Sequence, residues 1–192
     1  AYNLLSISAT AEQLRLDVSD ILQLLRPLVI VDGRFQYLVS EGKITAIIDY
    51  AHTPDALKNV LETINTIRSG NEQLITVVGC GGDRDVEKRP KMGAIAAQLS
   101  TKVIFTSDNP RSENPDTIIQ HIEAGVPPQH YKKTIAISDR KQAIKTACQM
   151  ANEHDIILVA GKGHETYQEI QGVRSEFDDR KTISELLIAL NK

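Results

Sequence analysis

The chain has 192 residues, of which 22 are basic and 25 acidic, giving a formal net charge of −3. Hydrophobic residues make up 41% and charged residues 24%, ordinary globular usage that excludes a disordered or fibrous chain. The weakly acidic balance offers nucleic acid no basic footprint, and Cys80 and Cys148 build neither a disulfide framework nor a zinc cluster.

Leu4–Leu16 and Val18–Leu25 read as two helices separated near Asp17. Strand-rich sequence begins after Gly33-Arg34, so a boundary is expected there, with residues 1–33 belonging to a neighbouring element and 34–192 to the main domain. Ile44–Ile48 is the first of five short aliphatic runs; Leu74–Val78, Val103–Thr106, Thr134–Ile137 and Ile156–Val159 follow. Nearly continuous apolar runs of this length suit strands buried on both faces, as in parallel sheets. After the first run, Thr53-Pro54-Asp55 reads as an N-cap, a first-turn proline and a first-turn acid. Leu57, Val60, Leu61, Ile64 and Ile67 then recur at helical spacing. Further helices are expected over Pro90–Leu99, Asp116–Ala124, Asp139–Asn152 and Arg180–Leu190, and Pro127-Pro128 marks a loop. Strand alternating with helix predicts right-handed βαβ units. The fold class is α/β: an open, mostly parallel sheet flanked by helices and preceded by a short helical segment.

In such sheets ligands bind beyond the carboxyl ends of the strands. Four of these ends lead into unusually polar segments: Asp49–Asp55, Gly79–Asp85, Ser107–Arg111 and Gly161–Glu165. Each has a plain alternative. Thr53, Pro54 and Asp55 suffice as helix-capping chemistry, whereas Asp49 and His52 exceed what a cap needs. Gly79-Cys80-Gly81-Gly82 resembles a phosphate loop without matching G-x-G-x-x-G or Walker A. Asp108-Asn109-Pro110 is a respectable turn, and Arg111 is the residue that a turn does not require. The run Asp83–Arg89 is read as a solvated charged face, and His121 and His130 as surface groups. Gly161-Lys162-Gly163 lacks the Ser/Thr of a P-loop, no G-x-S-x-G elbow is present, and the five histidines lack metal-ligand spacing, so no metal site is expected.

Arg84, Arg111 and Lys162 offer partners for carboxylate or phosphate, while Asp49, Asp83, Asp108 and Glu165 offer partners for ammonium or hydroxyl groups. A site holding both signs fits a zwitterion such as an amino acid. On residue chemistry alone, the chain binds a small zwitterionic or phosphorylated ligand.

The segments Asp49–Asp55, Gly79–Asp85, Lys88-Arg89-Pro90, Asp108–Arg111, Ala160–Glu165 and Phe177–Arg180, in this order and spacing, resemble the Mur ligases that add meso-diaminopimelate. The likeness covers their C-terminal, Rossmann-like amino-acid-binding domain over 34–192. It extends to the closing helices of their central ATPase domain over 1–33. It implies that ATP phosphorylates the carboxylate of UDP-MurNAc-L-Ala-D-Glu and that the amino group of meso-diaminopimelate attacks the acyl phosphate. By the resemblance, Arg84, Asp108, Asn109, Pro110, Arg111, Gly161 and Glu165 bind the amino acid. Arg111 meets the distal carboxylate that lysine lacks, and Glu165 accepts the ammonium. Arg34, Asp49 and His52 match nucleotide-contacting positions.

The family's Walker A loop, magnesium ligands and carbamylated lysine have no counterpart here, and Val31-Asp32 replaces a proline-containing lead. ATP and Mg2+ are therefore expected to be held mainly by a central domain outside this sequence. No catalytic residue and no retained cofactor are expected on this chain, which by itself is expected to be inactive. A monomer acting on small molecules in the cytoplasm is expected, without nucleic acid or membrane, since no apolar run nears the roughly 20 residues of a membrane span. A non-catalytic amino-acid- or nucleotide-binding module is the alternative. A nicotinamide-dependent oxidoreductase would need the absent G-x-G-x-x-G.

Overall fold

A computed structural model describes residues 2–25 and 33–192. The boundary expected at Gly33-Arg34 abuts residues 26–32, including Val31-Asp32, which lie outside the described residues. The chain divides into two compact units, Ala1–Val31 and Asp32–Lys192. In the first, α1 (Tyr2–Gln13) and α2 (Val18–Leu25) are separated where Arg15 turns the backbone at φ +62°. Asp17 then accepts the Ser19 N–H at 2.8 Å, a local cap that starts the second helix.

The second unit carries a six-stranded sheet in the order β1-β2-β6-β3-β4-β5. Its strands are β1 (Gln36–Val39), β2 (Thr45–Asp49), β3 (Leu74–Val78), β4 (Lys102–Phe105), β5 (Thr134–Ala136) and β6 (Ile156–Ala160). All neighbours run parallel except β1, which pairs antiparallel with β2. The helices α3 (Pro54–Ile67), α4 (Lys88–Leu99) and α5 (Pro115–Glu123) connect β2 through β5; α6 (Arg140–Met150) leads back to β6. A hairpin, β7 (Tyr167–Ile170) and β8 (Val173–Glu176), precedes α7 (Asp179–Ala189).

Alternating strand residues serve opposite cores, as the two-residue period of a strand requires. Ile47, Val78, Phe105 and Leu158 face Leu57, Leu61, Ile64, Met92, Ala96 and Ile122 on α3, α4 and α5. Ile48, Val77, Ile104 and Val159 face Ala143, Ile144, Ala147, Ile183 and Leu187 on α6 and α7. The helices thus cross first on one side and then on the other, and the returning β6 enters between β2 and β3. Loops leaving β2 and β3 diverge there from the loop leaving β6, which opens a crevice at the carboxyl edge.

The five aliphatic runs are all strands, each within about one residue of its expected bounds. Aliphatic runs did not reveal β1 or the hairpin, whose patterns are partly exposed. Pro128, in the Pro127-Pro128 pair expected to mark a loop, opens a 3-10 helix over Pro128–Lys133 whose carboxyl end leads directly into β5.

Under the crevice lies a buried ion pair. Arg140 Nε and Nη2 donate to Asp179 Oδ1 and Oδ2 at 2.8 and 2.7 Å, and both side chains are fully buried. The same guanidinium donates to the Ser107 carbonyl at 3.3 Å, just past β4, and to the Ala160 carbonyl at 3.1 Å, at the last residue of β6. Removing one partner of such a pair leaves the other charged and dry. Asp179→Ala should therefore cost about 3–5 kcal/mol in urea unfolding; a loss below about 1 kcal/mol would show that the pair does not hold the strand ends.

Candidate functional site

The four polar segments do converge. A cleft of about 350 Å³ at the carboxyl edge is lined by residues from every one of them, including His52, Gly81, Arg84, Asp108, Asn109, Arg111, Gly161 and Glu165. Tyr50, Asp85 and Lys88 complete much of the remaining wall.

The loop after β3 is fastened to the loop after β4. Gly82 donates its N–H to the Asn109 carbonyl at 2.9 Å, and a Cβ on Gly82 would lie 1.9 Å from the Pro110 oxygen. Only glycine permits that approach. Asp83 accepts from the Ser112 hydroxyl at 2.6 Å and gives its own N–H to Glu113 at 2.6 Å. Arg89, fully buried, closes the latch with two hydrogen bonds to the Glu113 carboxylate at 2.8 and 2.9 Å. His121 Nδ1 lies 3.1 Å from the same guanidinium. The segment Asp83–Arg89 is thus more than a solvated face, and His121 more than a surface group.

Arg111 adopts φ +51°, a left-handed conformation uncommon for a residue with a side chain. The hairpin holds it there: the Arg111 N–H donates to the Glu169 carbonyl at 3.0 Å and its carbonyl accepts from Gln171 at 2.6 Å. Its Nη1 donates to the Gly82 carbonyl at 2.8 Å, and among the described residues nothing pairs with its Nε or Nη2. Arg84 is exposed and spends one donor on the Asp83 carbonyl. Two guanidiniums thus carry donors for an anion.

The acidic side is built around Lys162. Its ammonium is fully buried and donates to Asn109 Oδ1 and the Tyr167 carbonyl, both at 2.7 Å. Burial pushes its pKa down while Asp108 pulls it up. Asn109 Nδ2 donates to Glu165 at 2.8 Å. Gly161 at φ +118° brings its backbone so close to Asp108 that a Cβ would sit 2.5 Å from the carboxylate. Lys162 was expected to offer its charge to a ligand; with no exposed surface it cannot, because protein acceptors already surround it.

Beside the cleft, Tyr50 stacks against His52 at 4.5 Å and His164 at 5.2 Å between ring centres, and Arg34 lies 5.5 Å over the Tyr50 ring. The Tyr50 hydroxyl pKa is raised by burial and then by the neighbouring Glu165 carboxylate. Asp49 accepts the Phe35 N–H at 2.7 Å, and burial raises its pKa against that hydrogen bond and the Arg34 charge. Neither Arg34, Asp49 nor Pro110 lines the cleft itself. Burial pushes the Cys80 thiol up to about 12 and the Cys148 thiol up to about 11, so neither is poised as a nucleophile.

The family profile described as Mur ligase, glutamate ligase domain, matches residues 33–163, the stretch that supplies the first three loops and the start of the fourth. The chain belongs to the Mur ligase family. A UDP-N-acetylmuramoyl-L-alanyl-D-glutamate--2,6-diaminopimelate ligase of Cytophaga hutchinsonii is 55% identical over 192 residues, all of this chain and 39% of that protein. The same-named protein of Parabacteroides distasonis is 52% identical over 186 residues, 97% of this chain and 38% of its own length. A solved structure bearing that ligase name superimposes with a TM-score of 0.77 at 40% identity, covering 99% of this chain and 38% of that one. The Thermotoga maritima UDP-N-acetylmuramate-alanine ligase MurC shares the fold, with a TM-score of 0.66 at 19% identity. It is covered over 98% of this chain and 37% of its own. The chain spans well under half the length of these relatives.

Within this Mur ligase chain, sequence chemistry picked out most of the cleft wall but missed Tyr50, Lys88 and the bracing hairpin. Tyr50 lies in a segment already singled out, next to Asp49, so that position was the available signal. The Arg89–Glu113 latch carries a pH dependence. Arg89 holds the Glu113 carboxyl below its ordinary value of 4.5. Its stabilisation is present above that value and fades as acid protonates the folded form. Wild type should lose thermal stability more steeply than Glu113→Gln between about pH 5 and 3. Parallel melting curves in the two proteins would contradict the latch.

Proposed function

We propose that this chain is the amino-acid-receiving part of an ATP-dependent ligase that joins meso-diaminopimelate to UDP-MurNAc-L-Ala-D-Glu through an acyl phosphate. The observation that carries the reading is the mixture of charge in one cleft: Arg84 and Arg111 line it together with Asp108 and Glu165. An amino acid with two carboxylates needs more cationic donors than lysine does, and Arg111 has an unpaired guanidinium edge to meet the second. Planar guanidinium suits carboxylate in a way that a point charge does not. The printed names of the relatives point to the same substrates.

A carboxylate is a poor electrophile until phosphorylation gives it a leaving group. What remains is to hold an amine in line with the acyl carbon, an alignment worth up to about 7–11 kcal/mol. In this reading Glu165 and Asp108 receive the ammonium end, Arg84 takes the near carboxylate and Arg111 the far one. Asn109 and Gly161 shape the wall beside them, with Pro110 behind it against Gly82, and no side chain here does the phosphoryl transfer.

ATP and Mg2+ are proposed to be bound mainly outside this chain, and the reaction to run in the cytoplasm, with the isolated chain inactive and monomeric. Among the described residues no group of three or more His, Cys, Asp or Glu side chains could hold a metal ion, so no step is assigned to Mg2+ on this chain. No helix of the described residues is long and apolar enough to cross a membrane. Arg34 and His52, packed on Tyr50, offer a cation and a ring face to a nucleotide, and Asp49 fixes the Arg34-Phe35 turn beneath them.

In the ligase carrying this chain, Arg111→Ala should lower kcat/KM for diaminopimelate by about 30-fold to several-thousand-fold while the KM for the UDP substrate holds. Wild-type turnover of diaminopimelate by that variant would sink the assignment. Arg34→Ala should instead raise the KM for ATP about 10- to 100-fold and leave the diaminopimelate KM in place. An unchanged ATP KM would remove Arg34 from the nucleotide side.

A further inference from the structure

We propose that Lys162 is the positioning residue of the amino-acid end of the cleft: it fixes which way Asn109 presents its amide and holds one buried ammonium against both the Asp108 and Glu165 carboxylates. The inference rests on the cleft receiving an amino acid and adds a residue buried behind its wall.

The amide argument is geometric. Asn109 Oδ1 accepts from Lys162 Nζ at 2.7 Å and from the Glu169 N–H at 3.0 Å. Both neighbours are donors only, so the amide oxygen must face them. A flipped amide would set its NH2 against an ammonium and a backbone N–H. The remaining orientation sends Nδ2 to Glu165 at 2.8 Å, and thereby aims the carboxylate that faces the cleft.

The charge argument is a count. Lys162 Nζ lies 3.7 Å from Asp108 Oδ1 and 3.6 Å from Glu165 Oε2, with no exposure of its own. Two carboxylates so placed, without a shared cation, drive one of them to hold its proton. With Lys162 present the two acids and one ammonium sum to one negative charge, matched to a single incoming amine. The other charged groups around it change this little: Arg140 is neutralised by Asp179 in their buried pair. The Tyr167 ring lies 5.7 Å from the ammonium, and Tyr50 lines the cleft beside Glu165. Lys162 also donates to the Tyr167 carbonyl, which ties the entry of the hairpin to the same centre. A purely structural lysine would explain the hairpin contact but predicts no effect on titration in the cleft.

The test uses the complete ligase, with amino-acid KM and pH profiles measured for wild type and Lys162→Met. The amino acid is whichever of diaminopimelate, lysine and ornithine the wild type turns over fastest, so a wrong substrate assignment alters that choice and leaves the comparison intact. Lys162→Met should raise the amino-acid KM about tenfold or more with the ATP and UDP-substrate KM values within about twofold. The kcat/KM profile for the amino acid should gain an ionisation that the wild-type profile lacks, because two neighbouring acids have lost their shared cation. Lys162→Met combined with Asp108→Asn, which removes one acid with the ammonium, should abolish that added ionisation. A Lys162→Met profile like that of wild type overturns the proposal. If Lys162→Met does not fold, the double variant is read alone: an added ionisation in it, or its own failure to fold, makes Lys162 purely structural and overturns the proposal equally.

Discussion

The carboxyl edge of the sheet depends on one buried guanidinium. Arg140 reaches from the first turn of α6 to a carbonyl just past β4, to the carbonyl that ends β6 and to Asp179 at the first turn of α7. Four separate pieces of chain thereby meet at a dry point beneath the crevice. A carbonyl at or past a strand end is short of ladder partners, and burying it unpaired would cost more than a typical net hydrogen bond gains. Arg140 satisfies two such carbonyls and is itself neutralised by Asp179. The loops that build the cleft therefore leave from a floor whose height does not vary. The pair also explains why an acidic residue opens the last helix, on which no part of the cleft is carried.

Above that floor the site is braced by polar contacts between loops, with little apolar packing. The glycine loop after β3 hangs on Asn109, Ser112 and Glu113, all in or just beyond the loop after β4. The hairpin in turn holds Arg111 in its left-handed conformation and supplies a carbonyl to Lys162. Such a network is worth most when complete, because each buried donor left alone carries its full desolvation cost. It also lets the cleft stay polar and open to a zwitterion without collapsing. A hydrophobic wall of the same stiffness would have repelled both ends of an amino acid.

What was legible in the sequence follows from how local each signal is. The parallel strands announced themselves because a strand buried on both faces has no polar register, as in Leu74–Val78 and Ile156–Ala160. β1 and the hairpin escaped because their side chains are half-exposed or exposed, so no continuous apolar run marks them. Thr53 was read correctly as a cap, since its hydroxyl does accept the Ala56 N–H. Lys162 was expected to offer its charge to a ligand's carboxylate or phosphate because its segment follows a strand end, yet it is fully buried. Nothing local says that Asn109 and Tyr167 will enclose it. Arg89 presents the same difficulty, as a basic residue in a charged run whose partner lies on the next loop. Residue type told which charges gather at this edge, but only tertiary structure tells which of them remain free.

That division between spent and unspent charge is the chemical content of the cleft. Lys162, Arg89 and Arg140 all place their charge in the protein interior, each against one or more carboxylates. Arg84 and Arg111 keep guanidinium donors toward the cleft, and Glu165 keeps partial exposure there. The interior cations fix geometry because their partners cannot move without leaving a charge unpaired. The cleft groups can then recognise a ligand without first being ordered by it, which reduces the entropy cost of binding. An amine that must meet an acyl carbon in line needs a site of this kind, since a mobile receptor would return in disorder what proximity gains. The buried charges set the shape, and the few left unpaired determine what can be held in it.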